Sequence, residues 1–147
     1  MLTLGDEPFT TGRCRYTDAD GRSEGSAKIC VKVVPGDWET PVLAIVDTGA
    51  DWSVLNTEIA EELGLFGVEG EPIALSTRFG AIAGYLVQAS VTLLADDGDS
   101  LRLDATVFVS ADWPSSAGTF LGYSRLLERM RFAVDPQSNV LFFGPID

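Results

Sequence analysis

Apolar residues fall at every second position in several separate stretches of this chain, and clusters of turn-forming residues divide those stretches. Ile29, Val31 and Val33 make one such set, Tyr85, Val87, Ala89, Val91 and Leu93 a second, and Leu101, Leu103, Ala105 and Val107 a third. Alternation with period two sends neighbouring side chains to opposite faces, which is the mark of half-buried strands. Pro35-Gly36-Asp37 and Asp96-Asp97-Gly98-Asp99 supply turns between strands, and Asp135-Pro136-Gln137-Ser138-Asn139 closes a hairpin of 132–134 on 140–143. Residues 41–46 are almost wholly apolar and read as a fully buried strand. Two short helices are expected. Asn56 or Thr57 caps the first, which runs through Ile59, Ala60 and Leu63 and stops at Gly64; Ser124 caps the second, which ends near Met130. The sum is a mainly β, barrel-like domain with two short helices.

The chain has 147 residues, enough for one domain with a real core, and it contains no internal repeat or linker. Residues 1–26 are polar and glycine-rich and are expected to form an N-terminal arm or an edge hairpin; the domain proper is expected over 27–144. A net charge of −12 argues against nucleic acid and against an anionic membrane surface as partners. No apolar run approaches the length of a membrane span and no secretory leader opens the chain, so a soluble, cytoplasmic protein is expected. Cys14 and Cys30 are too few for a disulfide framework and lack metal-site spacing. Asp18-Ala19-Asp20-Gly21 lacks the later ligands of a calcium loop and reads as a plain turn. Neither metal nor cofactor is therefore expected. The chain has no histidine, which removes Ser-His and Cys-His nucleophiles and His-ligated zinc.

Chemistry then has to rest on carboxylates, and one is placed unusually. Asp47 ends the apolar 41–46 run and is followed at once by Thr48 and Gly49. A carboxylate leaving an apolar strand needs hydrogen bonds, a partner or a proton. Gly49 keeps the space beside it open to another backbone. One carboxylate cannot serve as both base and acid toward one attacking water, whereas two sharing a proton can. The segment occurs once, so the economical solution is a symmetric homodimer with Asp47 and its copy on the two-fold axis.

The stretch Leu43-Ala44-Ile45-Val46-Asp47-Thr48-Gly49-Ala50-Asp51-Trp52-Ser53-Val54-Leu55 resembles the active-site segment of retropepsin-like aspartic proteases, in which apolar residues precede Asp-Thr-Gly-Ala. Thr119-Phe120-Leu121-Gly122 resembles that family's second motif, two apolar residues and a glycine that pack behind the catalytic loop. The continuation Tyr123-Ser124-Arg125-Leu126-Leu127, then Phe132-Ala133-Val134-Asp135, resembles bacterial and cellular members, as does a helix over 57–65. Residues 77–85 stand where the family places its flap, a hairpin that closes over substrate.

The resemblance implies a single-domain retropepsin-like acid-protease barrel acting as a homodimer: an aspartic endopeptidase that hydrolyses an extended polypeptide without a cofactor. It makes Asp47 the catalytic carboxylate, Thr48 the source of an inter-subunit hydroxyl-to-backbone bond, and Gly49 a contact for substrate backbone. Ala50 and Asp51 would line the cleft, although Asp51 also reads as an acid that fixes its own loop. Trp52 is either a subsite wall or a cap on the core. Gly80, Ala81 and Ile82 would contact substrate from the flap, Gly80 and Gly84 would let it bend and approach substrate closely or simply form a β-turn pair, and Leu121 and Gly122 form the structural second motif. Viral members often carry Arg after that glycine to contact the acid at the Asp51 position; here Tyr123 stands there, leaving Arg125 as the nearby basic residue. The alternative is a non-catalytic module that keeps the fold for dimerisation or peptide binding, but such a module has no reason to retain a costly acid pair.

Overall fold

The computed structural model of the chain describes residues 1–21, 27–78 and 80–146. The end of the expected arm (22–26) and Phe79, within the expected flap, lie outside the described residues. The strands are β1 (Thr3–Leu4), β2 (Glu7–Pro8), β3 (Gly12–Arg15), β4 (Cys30–Pro35), β5 (Val42–Val46) and β6 (Ser53–Val54), followed by helix α1 (Thr57–Glu62). Then come β7 (Glu71–Thr77), β8 (Gly80–Leu93), β9 (Asp97–Gly98), β10 (Leu101–Val109), β11 (Thr119–Leu121), β12 (Met130–Asp135) and β13 (Val140–Pro145).

Seven strands run in the order β10-β6-β11-β5-β4-β8-β7, and a further pairing of β10 with β8 closes the first six into a barrel. β8 is the pivot. Its C-terminal half pairs with β4 and β10, and its N-terminal half extends past β10 as one arm of a hairpin with β7. The alternation seen in the sequence sets its burial, since Val87, Val91 and Leu93 enter the main core with Val31, Val33, Leu103 and Val107. A smaller cluster of Val54, Ile82, Leu86, Phe108 and Trp113 lies under the β7–β8 hairpin.

A second sheet, β12-β13-β3-β9, packs Phe143, Leu141 and Cys14 into the main core. The first 26 residues thus carry more than an arm. Thr3–Leu4 and Glu7–Pro8 form a small hairpin, but β3 is an interior strand paired with β13 on one side and β9 on the other, and Cys14 and Tyr16 are buried. The exposed Arg13 and Arg15, on either side of Cys14, masked that strand in the sequence.

The first helix is short, with the Asn56 side chain accepting bonds from Glu58 N–H (2.9 Å) and Ile59 N–H (3.4 Å), and Gly64 ends it at φ +71°. The second expected helix is a single 3-10 turn, Leu127–Arg129. Arg125 adopts φ +58°, which breaks a helix and lets the adjacent Leu126 and Leu127 both bury completely. No helix among the described residues is long and apolar enough to cross a membrane.

Candidate active site

β5 delivers Asp47. The strand is not fully buried as its composition suggests: Ala44 is inaccessible, Val42 and Val46 pack partly on the main core, and Leu43 is 36% exposed. Its two faces have different neighbours. One rests on the barrel core, and Leu43 and Ile45 line a groove of about 780 Å³ that reaches Asp47. Ile29, Trp113, Ala117 and Phe120 add to its apolar wall, and Thr77 and Arg78 meet it from the tip of the β7–β8 hairpin.

Asp47 itself is half-buried, and its Oδ1 accepts the Gly49 N–H at 3.0 Å. Its own N–H donates to the Leu121 carbonyl (2.9 Å), continuing the parallel pairing of β5 with β11 in which Val46 lies opposite Leu121. The Ala50 N–H returns to the Asp47 carbonyl (3.2 Å) to close the turn. Beyond it, Tyr123 N–H bonds Ala50 O and Ser124 N–H bonds Asp51 O, both at 2.8 Å, and Gly122 N–H bonds the buried Ser53 Oγ at 2.8 Å. A Cβ on Gly122 would stand 2.4 Å from the Trp52 carbonyl carbon and 2.5 Å from its oxygen. Only glycine fits so close to another backbone. Two segments some seventy residues apart in sequence therefore form one rigid cradle, with Asp47 at its lip and Thr48 and Gly49 exposed beside it.

The sequence model of the aspartyl protease family matches residues 15–124, a span that includes Asp47 and Gly122. The chain belongs to the aspartyl protease family. Its fold is also that of the crystal structure of a retropepsin-like aspartic protease from Rickettsia conorii, with a TM-score of 0.58 and 20% identity over 91% of this chain and 92% of that one. No curated protein matches it.

Other candidate residues of this family member are distributed unevenly about the groove. Ala50 is half-buried and Asp51 exposed in the loop next to Asp47. Trp52 does not line the groove; it packs on the smaller cluster, with the Arg125 guanidinium 5.8 Å from its ring centre. Among the described residues no ion pair joins Arg125 to Asp51. Gly80 turns the hairpin corner at φ +100° opposite Thr77, and Ala81 is exposed, but Ile82 is buried in the smaller cluster. Gly84 answers to packing instead of substrate approach, since a Cβ there would lie 2.5 Å from the Val109 carbonyl oxygen and 2.6 Å from Phe108. No set of three or more potential metal ligands exists among the described residues.

The groove wall is what sequence reasoning missed. Leu43 and Ile45 are out of phase with the buried Ala44, and Phe120 is out of phase with the buried Thr119 and Leu121. That phase was legible once strands were assigned. The approach of Ile29 and Trp113 was not, because it depends on how β4, β5 and the loop before β11 come together.

Proposed function

We propose that this chain is an aspartic endopeptidase that works as a homodimer. The observation carrying this reading is the half-built site: one carboxylate, Asp47, at the end of an apolar groove, with Thr48 and Gly49 exposed beside it. A two-fold axis beside Asp47 brings a second carboxylate from an identical copy and joins two grooves into one cleft for an extended polypeptide. One Asp47 is then ionised and takes a proton from water as its oxygen attacks the scissile carbonyl carbon. The other is protonated and gives its proton to the carbonyl oxygen. Collapse of the tetrahedral intermediate returns a proton to the leaving nitrogen as the C–N bond breaks.

The loop geometry fits those roles. Gly49 N–H fixes one Asp47 oxygen and leaves the other for water, and the bonds from the 121–124 segment hold the loop still. In this reading Thr48, exposed beside Asp47, bonds the partner's loop, and Gly49, Ala50 and Asp51 contact substrate backbone. The 77–81 tip serves as the flap. No cofactor takes part. Substrate polypeptide and a second copy are the partners, in preference to nucleic acid or membrane, and the two free, buried thiols fit a cytoplasmic setting.

The test is cleavage of a peptide library by wild type and Asp47→Asn, with sedimentation of both. Cleavage by the wild type and none by a folded, dimeric variant is expected. Equal cleavage by the variant removes Asp47 from the mechanism, and no cleavage by either supports the non-catalytic alternative.

A further inference from the structure

The β8–β10 ladder ends at the pair Tyr85–Val109, and beyond it β7 is the only strand among the described residues that pairs with the N-terminal part of β8. The next rung is made by a side chain. Ser110, 2% exposed, donates its hydroxyl to the Ala83 carbonyl at 2.6 Å and accepts the Asp112 N–H at 3.1 Å. From across the loop, the Thr57 hydroxyl at the start of α1 reaches the carbonyl of the same Ser110 at 2.8 Å and the Trp113 carbonyl at 3.4 Å. Trp113 carries the connection into the groove. Its ring packs with Ile82 of the hairpin, meets Phe120 edge to face at 6.0 Å, and donates Nε1–H to the Gly118 carbonyl at 2.9 Å.

We propose that Ser110 and Thr57 are positioning residues that lock the 82–85 arm of the hairpin, the 110–118 wall of the groove and the start of α1 into one body, so that the hairpin's lever over Asp47 begins beyond Ile82 instead of at Tyr85. Three observations agree on where the lever begins. Gly84 is wedged on Phe108 and Val109, Ile82 is buried, and Gly80 and Ala81 are exposed. α1 is joined to the Asp47 loop through the two-residue strand β6, so the Thr57 hydroxyl refers the height of wall and hairpin to that loop. An apolar residue at 110 would leave the Ala83 carbonyl and the Asp112 N–H without this partner, and the arm would hinge from Tyr85. The catalytic consequence rests on the protease reading. With a loosened arm the groove must be ordered by substrate, which weakens binding and leaves the Asp47 chemistry unchanged once substrate is bound.

Hydrogen exchange read by mass spectrometry on Ser110→Ala, Ser110→Thr, Thr57→Val and the double variant Ser110→Ala/Thr57→Val decides the matter. In Ser110→Ala, amides of 81–85 and 111–113 should exchange about five- to tenfold faster while β12 and β13 keep wild-type protection. The hydroxyl of Ser110→Thr should restore protection. Thr57→Val should loosen the same loop, and the double variant should fall short of the product of the two single effects. On the best peptide from the library, KM should rise about as much as the local exchange with kcat near wild type. Wild-type exchange at 81–85 in Ser110→Ala, acceleration spread evenly over the chain, or fully multiplicative effects would each overturn the proposal. A chain that cleaves nothing refutes the protease reading instead, and the exchange data still decide whether the arm and wall are coupled.

Discussion

Replacing Gly122 with alanine should cost this protein a large part of its stability. The added methyl would stand 2.4 Å and 2.5 Å from the Trp52 carbonyl carbon and oxygen and 2.8 Å from the Ser53 nitrogen, against ordinary contacts near 3.4 Å or more. All three atoms are backbone, so no side chain can swing aside, and the two segments must part by most of an ångström. Overpacking of this kind costs about 1–3 kcal/mol. Separation also breaks the bond from Gly122 N–H to the buried Ser53 Oγ, which is worth about another 1 kcal/mol. A total of about 2–4 kcal/mol is a substantial share of the ~5–15 kcal/mol typical of a domain. Urea unfolding followed by tryptophan fluorescence would see a midpoint lower by about 1–2 M. Gly67→Ala is the control, because a Cβ there meets nothing within 4 Å and its midpoint should stay close to wild type. If Gly122→Ala unfolds within about 0.3 M of wild type, the two motifs are not held as tightly as their contacts imply.

Asn56→Ala removes the acceptor for two N–H groups of α1 and should destabilise by about 1 kcal/mol in the same assay, while Asn56→Asp keeps it and should cost little. Burial, with Asp96 adding to it, pushes the Cys14 thiol up to about 12, so the folded chain holds that proton more tightly than the unfolded one. The resulting stabilisation is whole below the ordinary thiol range and drains away between about 9 and about 12, at up to ~1.4 kcal/mol per pH unit. Cys14→Ala should flatten the loss of stability above pH 9 relative to wild type; parallel pH curves would refute the assignment. Because the proposed site needs two chains, specific activity should fall on dilution, and full activity in a species that sediments as a monomer would rule the shared site out.

Much of the barrel could be read from the chain because half-buried strands repeat with period two. β8 and β10 show it cleanly, and the capping of α1 by Asn56 and its end at Gly64 follow from local chemistry. The closeness of Gly122 to the Asp47 loop was legible only through the resemblance to the family's two motifs; the backbone contact that demands a glycine there shows in the structure. What escaped was set by tertiary contacts. The second helix is lost because Arg125 turns left-handed and the Tyr123 and Ser124 N–H groups are drawn to the Asp47 loop. β3 is short and carries two exposed arginines, so its place inside a sheet depends on β13. Ile82, beside a turn glycine, is buried because a separate small core lies beneath the hairpin.

The two faces of β5 have a consequence for how such a chain can diversify. Val42 and Ala44 answer to the barrel, Leu43 and Ile45 answer to the groove, and Val46, next to Asp47, touches both. Over 42–45, selection for folding and selection for what the groove accepts therefore act on alternate residues of a single five-residue strand. Substitutions at 43 and 45 can reshape the wall leading to Asp47 without repacking the core, so a lineage can explore new occupants while its barrel stays constant.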